Sequence, residues 1–451
     1  MNEQSNALSV DGPVFRPEDG GYDEERTGYQ LLSPHRAAVI VGATSAEDVR
    51  AAVAYAAGNG LKVAVQASGH GLAGALEGGV LITTGRMSGV RVDPAARTAW
   101  IEAGAKWEQV VAAAAPHGLA PPAGSAPSVG AVSYTLGGGV GLLARRHGFA
   151  ADHVRRFEIV TADGRLREVT AESDPDLFWA LRGGGGNFGA VTGVEIGLFP
   201  VESVYAGVLH FDVGQVPDVL DGWRRWTATV PEETTSGVAM LVYPHLPMIP
   251  EPLRGRHVAQ IQIFHLGTPE DGERLVEPLR ALGPLMRDSL RERPLAEAGE
   301  AFEEPVRPHA YRSDNRLVTG LSPAALAGLV KAAGPSAPVM CVVGLRHLGG
   351  ALARPPADPG PVGHRDAAYL VSVLSPVEPG EERTARDLHR EALAPFEDAA
   401  LGRSLNFAFG PLDEDQVRTA YAPGDYRRLT ELKARYDGGV LFHANHAIPP
   451  R

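Results

Sequence analysis

The chain has one cysteine, Cys341, in 451 residues. A single thiol excludes an intrachain disulfide and any cysteine-based metal cluster, and no metal ligand set is assigned. Its neighbours Val339, Met340, Val342 and Val343 are apolar, which predicts a buried strand residue rather than a nucleophile. Positive charge is in the minority: 42 Lys and Arg against 54 Asp and Glu leave a formal net charge of -12. An acidic chain repels phosphate backbones and anionic membranes, so neither nucleic acid nor membrane is an expected partner. The same balance disfavours an anionic substrate. No uninterrupted apolar run is long enough to span a bilayer. The opening MNEQSNALSVDG lacks a basic start followed by an apolar core, so no secretory signal is expected and the default compartment is the cytoplasm. Internal repeats are absent, as are low-complexity tracts beyond short alanine runs.

What is present is an ordinary globular composition, 44% apolar and 21% charged, in a chain too long for one core; two lobes are expected. Residues 1–30 are polar and read as a loosely held entry arm. Val39-Ile40-Val41 then reads as a strand. Thr44 is the expected cap of a helix, with Glu47 as its capping-box partner and Val49, Ala52, Val53 and Ala56 as the apolar stripe. Gly58-Asn59-Gly60 stops that helix, and Leu61, Val63 and Val65 alternate as the next strand. Further strands are expected at Val80–Thr83, Thr98–Glu102 and Val191–Phe199, a helix at about Trp107–Ala115, and a hairpin of Phe157–Thr161 with Leu166–Val169. Asp174-Pro175 opens another helix. Beyond Pro200, alternating strands (Tyr205–Val213, His257–Leu266, Tyr369–Leu374) mix with amphipathic helices. Ala353–Pro361 reads as a surface loop, and a last helix lies around Tyr426–Arg435.

Three glycine-rich segments stand out. Gln66-Ala67-Ser68-Gly69-His70-Gly71 ends a strand, and small residues there let backbone N–H groups approach a phosphate. The second runs from Gly124-Ser125-Ala126-Pro127-Ser128-Val129-Gly130 into Leu136-Gly137-Gly138-Gly139-Val140-Gly141. The third, Leu177 to Gly189, carries four consecutive glycines, Gly183–Gly186. So many glycines cost conformational entropy, and the usual return is close backbone contact with a large flat or phosphorylated ligand. A dinucleotide-binding Rossmann unit does not fit, because no helix follows the first loop and no acidic residue closes a second strand at the required distance.

The tail adds Tyr421, Asp425-Tyr426-Arg427-Arg428-Leu429, Lys433, Tyr436-Asp437, Phe442, Asn445 and Ile448-Pro449-Pro450. Together, in this order, these segments resemble the berberine-bridge-enzyme-like flavoproteins of the vanillyl-alcohol-oxidase, PCMH-type FAD-binding superfamily. The likeness covers nearly the whole chain and is strongest over residues 36–200 and 403–450. It implies an α+β fold. After an arm at 1–35, a two-lobed FAD-binding domain at 36–202 is completed by 403–451. The insertion at 203–402 is a substrate domain, an antiparallel sheet covered by helices. It also implies FAD held by a single covalent 8α-histidyl link at His70. Ala67, Ser68, Gly69, Gly71, Leu72, Ser128, Gly130, Gly138, Gly139, Gly141, Val194 and Asn445 fall at cofactor-binding positions.

Two departures bear on chemistry. Many relatives attach the flavin a second time through a cysteine, whose position here is Ala126. Relatives commonly carry a catalytic tyrosine in a Leu-Asn-Tyr run, where this chain has Leu405-Asn406-Phe407. Val129 matches a position that gates oxygen at the flavin, and Tyr134 one near the pyrimidine edge. Tyr369, His364 and Tyr421 are the remaining candidates for a base, and His364-Arg365 resembles a His-Arg pair of relatives. The implied activity is an oxidase of a small molecule or natural-product intermediate, an alcohol, sugar, polyketide or alkaloid, passing hydride to flavin N5 with O2 as acceptor. Two alternatives stay open: an oxygenase or cyclase acting through an oxygenated flavin on a polyketide-like substrate, and a non-catalytic flavin-binding protein. The sequence names neither the substrate nor the oligomeric state.

Overall fold

Strand Val39–Gly42 is buried along its whole length, as expected of an apolar run covered on both faces in a parallel sheet. In the computed structural model, which describes residues 8–451, it pairs in parallel with Val80–Thr83, and that strand pairs in parallel with Val63–Gln66. Val14–Phe15 adds an antiparallel edge. Residues 1–7 of the expected arm lie outside the described residues. The rest of that arm is tied down rather than loose: Tyr29 and Gln30 donate from their backbone N–H groups to the carbonyls of Ser68 and Gly69, at 2.9 and 3.1 Å. The connecting helix, Ala46–Gly58, starts one residue later than expected. Ser45 is the cap, its side chain accepting from Asp48 N at 3.2 Å, while Thr44 donates to Asp48 Oδ2 from both N and Oγ1. Asp48, not Glu47, therefore closes this turn.

A second, antiparallel sheet has the order Val90–Asp93, Thr98–Glu102, Ala190–Gly197, Val154–Val160, Leu166–Val169. Helices Trp107–Ala114, Ala131–Leu136 and Pro175–Leu181 pack on it around Trp107, Phe157 and Phe188. The same core takes in Tyr421, Leu429, Leu432 and Ile448, so the C-terminal segment shares its apolar burial with residues 99–198. The polar lock there is Lys433 on the helix Pro423–Asp437. Its ammonium is buried and donates to Asn187 O at 2.7 Å and to Asp437 Oδ2 at 2.5 Å. Asp437 in turn accepts from the N–H groups of Leu441 and Phe442 at 2.7 and 3.0 Å. Beyond it, His443 N donates to Val63 O at 2.7 Å, returning the tail to the first sheet.

Residues 203–402 form one antiparallel sheet of nine strands. Its central run is Ser203–Asp212, His257–His265, Thr234–Val242, Val342–His347, Tyr369–Pro376 and Tyr311–Val318. Helices Val219–Thr227, Pro323–Ala332 and Glu382–Leu393 cover one face, where Trp223, Val343, Leu345, Val371, Val373 and Phe396 pack together. The period of two in a strand sends the alternate residues, among them Tyr311, Ser313, Asn315, Gly344, Arg346 and Leu370, to the opposite face. That face meets the first lobe: Tyr311 Oη donates to His70 O at 2.5 Å, and Ser313 Oγ to Phe407 O at 2.7 Å. Cys341 is buried just before its strand rather than within it, and burial pushes its thiol up to about 12, away from reactivity.

Breaking a buried ion pair from one side leaves an uncompensated charge, at a cost of about 3–5 kcal/mol. Lys433→Met should therefore destabilise the protein by that order in urea unfolding. A loss below about 1 kcal/mol would show that the pair does not hold the C-terminal segment in place.

Candidate active site

The first glycine-rich loop leaves strand Val63–Gln66 and turns at Gly69, whose φ is +71°. A Cβ there would sit 2.6 Å from Gly28 Cα, so only glycine lets the arm close on the loop. His70 follows. Its Nδ1 lies 3.0 Å from Ser68 Oγ and its Nε2 3.2 Å from Ser128 Oγ. Its ring stacks on Tyr29 with centroids 3.7 Å apart and 12° between planes. Ser68 Oγ also accepts from Gly130 N at 3.1 Å, joining the first loop to the second. Burial, with smaller contributions from Lys106 and His309, lowers the His70 pKa to about 4. The imidazole is therefore neutral at physiological pH. Asn445 reaches this loop from the tail, accepting from Ala73 N at 3.3 Å. Leu72 is buried beside it. A groove beside the loop runs past Ala67, Ser68 and Lys106.

The second segment is strapped to the helix Trp107–Ala114: Trp107 N donates to Val129 O at 3.0 Å, and Ala131 N to Ala105 O at 2.9 Å. Val129 is left half-buried next to Ser128. Tyr134 packs edge-on against Trp107, with centroids 5.4 Å apart at 87°. A Cβ on Gly139 would come within 2.4 Å of the Tyr134 ring, and one on Gly141 within 2.9 Å of its hydroxyl. These glycines bring the backbone against the ring. The Tyr134 hydroxyl is wholly buried without a partner among the described residues, as is Gln66 Oε1. Buried polar atoms left unsatisfied by protein are the atoms a bound group satisfies. With the close backbone of Gly138 and Gly139, they fit a large, polar-edged cofactor such as FAD.

Between the two lobes lies a narrow cleft, lined by Gly139, Phe149, Leu317, Leu370, Phe407 and Tyr421, among others. Phe407 thus stands in its wall, as does Tyr421, whose hydroxyl donates to Gly183 O at 3.2 Å. Burial raises the Tyr421 pKa above its usual value, so this phenol holds its proton. His364 and Arg365 also line the cleft. Arg365 is committed to a bidentate pair with Asp152, at 2.6 and 3.0 Å, and His364 Nε2 lies 2.8 Å from Thr419 O.

Two of the residues expected here are elsewhere. Tyr369 is one position out of register with the cleft-facing residues of its strand. Its hydroxyl is 2.6 Å from Thr227 Oγ1 and its ring packs on Trp223, both on the helix-covered face, so Tyr369 does not reach the cleft. Val194 is fully buried in the middle of its sheet, paired to Ile101 and Phe157, and cannot touch a ligand. Conversely, Tyr29, Tyr311, Glu304 and Arg346 escaped sequence reasoning. Glu304 is half-buried and accepts a hydrogen bond from the Ser125 hydroxyl, beside Ala126.

Comparison with known proteins points to the same cofactor. Residues 37–170 match the family described as FAD binding domain. The chain is 30% identical to (R)-6-hydroxynicotine oxidase of Paenarthrobacter nicotinovorans over 477 aligned positions, covering 98% of each protein. The structure is similar to that of 6-hydroxy-D-nicotine oxidase from Arthrobacter nicotinovorans, with a TM-score of 0.85 and 26% identity over 99% of this chain and all of that one. Berberine bridge enzyme from Eschscholzia californica shares the fold, with a TM-score of 0.81 at 21% identity, covering 99% of this chain and 98% of that one. A full-length relative at this identity, on a fold whose glycine-rich loops leave unsatisfied polar atoms for a cofactor, decides the assignment: the chain belongs to the berberine-bridge-enzyme-like FAD-linked oxidoreductases.

Proposed function

We propose that this oxidoreductase is an oxidase of a small organic molecule, with FAD attached once, through His70, and O2 as the electron acceptor. The observation that carries the reading is the state of His70, a neutral imidazole set between two serine hydroxyls and stacked on Tyr29. A free ring lone pair is what covalent attachment requires of the histidine. The bound flavin supplies a hydride acceptor, and a covalent anchor fixes its ring and raises its potential. The chain's own groups do the remaining work. Ser68 and Ser128 orient the imidazole, and Tyr311 holds its backbone carbonyl from the substrate sheet. Ala126 offers only a methyl group, which supports one attachment rather than two. Val129, short and half-buried next to Ser128, supports access of oxygen.

Phe407 favours a second reading. It stands in the cleft wall and carries no proton-transfer group, and Tyr421 keeps its proton. A substrate needing deprotonation finds no base in either. An oxygenase working through an oxygenated flavin on a polyketide-like substrate is the chemistry that tolerates this.

One experiment separates the two. Small alcohols, sugars and polyketide-like phenols are mixed anaerobically with the FAD-loaded protein while flavin absorbance is followed, and air is then admitted. An oxidase bleaches its flavin and releases one peroxide per flavin on reoxidation. Product containing an oxygen atom from O2, with no peroxide, would assign the oxygenase. Val129→Leu adds bulk beside Ser128 and should slow reoxidation more than reduction; equal rates in both enzymes would remove Val129 from the oxygen path. Attachment of FAD to the apoprotein has a pH dependence set by His70. Its pKa is lowered, so the ring is neutral above about 4 and protonated below. The rate should be flat from about pH 5 to 8 and fall below about 4, whereas a midpoint near the usual value of about 6.5 would mean that the ring is solvated.

A further inference from the structure

We infer that Arg346 anchors an anionic group of the substrate, which makes the cleft selective for a molecule bearing a carboxylate. The inference rests on reading the cleft as the substrate site and names the class of substrate it takes. Arg346 lies on strand Val342–His347, opposite Gly237 on one side and Leu370 on the other. Its strand neighbours Val343 and Leu345 are buried on the helix side, so Arg346 points the other way, toward the first lobe. Its guanidinium carbon sits 4.3 Å from the centre of the Phe407 ring, and Phe407 lines the cleft.

The other interior arginines each have hydrogen-bond or ion-pair partners in the protein. Arg145 donates to the carbonyls of Thr234 and Leu348, and Arg293 to those of Ala206 and Ser289. Arg182, Arg365 and Arg403 pair with Asp358, Asp152 and Asp314. Among the described residues Arg346 has no ion pair and no hydrogen bond; Glu304 and Tyr134 act on it only through space. A guanidinium stays charged at any physiological pH, and the face of a phenyl ring attracts it without accepting its N–H groups. Five donors thus remain open in a part-desolvated site, and a carboxylate matches their fork with two oxygens. Gly344 and Gly237 carry no side chain beside Arg346; a Cβ on Gly344 would sit 3.4 Å from Nη1 and 2.5 Å from Ser372 Oγ, so the guanidinium lies against bare backbone and the Ser372 hydroxyl. The formal charge of -12 does not oppose this, since charges beyond about 8 Å are largely screened and the field in the cleft is set locally.

The test uses FAD-loaded protein and two probes of one shape, benzoate and benzamide, titrated while the flavin spectrum and thermal midpoint are followed. Wild type should bind benzoate in preference to benzamide. Arg346→Gln should weaken benzoate by about 10- to 100-fold and benzamide by less than about threefold, with Arg346→Lys between. No preference for benzoate in wild type overturns the inference whether or not the variants fold. Unchanged benzoate affinity in Arg346→Gln overturns it as well, and if the flavin midpoint potential then falls, the guanidinium serves the cofactor instead. Absence of peroxide formation bears on the oxidase reading alone, because probe binding is read without turnover.

Discussion

A buried imidazole with a serine hydroxyl at each ring nitrogen is the feature around which the rest of this site is arranged. Neutrality comes from burial, which lowers the His70 pKa to about 4. Burial removes water from every polar neighbour as well, so each needs a partner within the protein. The structure meets that need by converging distant stretches of chain. Ser128, Tyr29 and Tyr311 come from the second loop, the arm and the substrate sheet, and each spends its polar atom or ring face on His70 or on its immediate support. The arm reaches His70 only because Gly28 and Gly69 touch without side chains.

The nine-stranded region, residues 203–402, contributes through parity. One face of its sheet is committed to helices and an apolar core, and the other presents single residues at two-residue intervals to the cofactor lobe. A chemical group at a cleft-facing position can therefore be exchanged by substitution there without change to the core, whereas one position along the strand it would enter the core, as Tyr369 does. Arg346 shows how local charge can be: in a protein of net negative charge its guanidinium lies against Phe407 with no ion-pair partner among the described residues, and composition gives no sign of it.

How much could be read from the sequence follows from the same physics. Val80–Thr83, Thr98–Glu102 and Leu166–Val169 appear as strands with the boundaries expected, because each is a short β-prone run between turn residues. The loop at His70 was legible from its small residues, and the return of the tail from its string of motifs. Tyr369 was misplaced because a strand pattern identifies two faces without saying which meets the ligand. Tyr29 was missed because a polar arm looks loose until its backbone is seen bonded to Ser68 and Gly69. The Ser45 cap was off by one residue, since Thr44 and Ser45 both offer a hydroxyl and Asp48 decides between them.

The proposed attachment fixes the flavin at one residue, His70. Acid-denatured, protease-digested holoprotein, analysed by mass spectrometry, tests that directly. The account predicts one flavin-bearing peptide, containing His70, and none from His70→Ala. All flavin released free from the wild type, or carried on a peptide without His70, would contradict it.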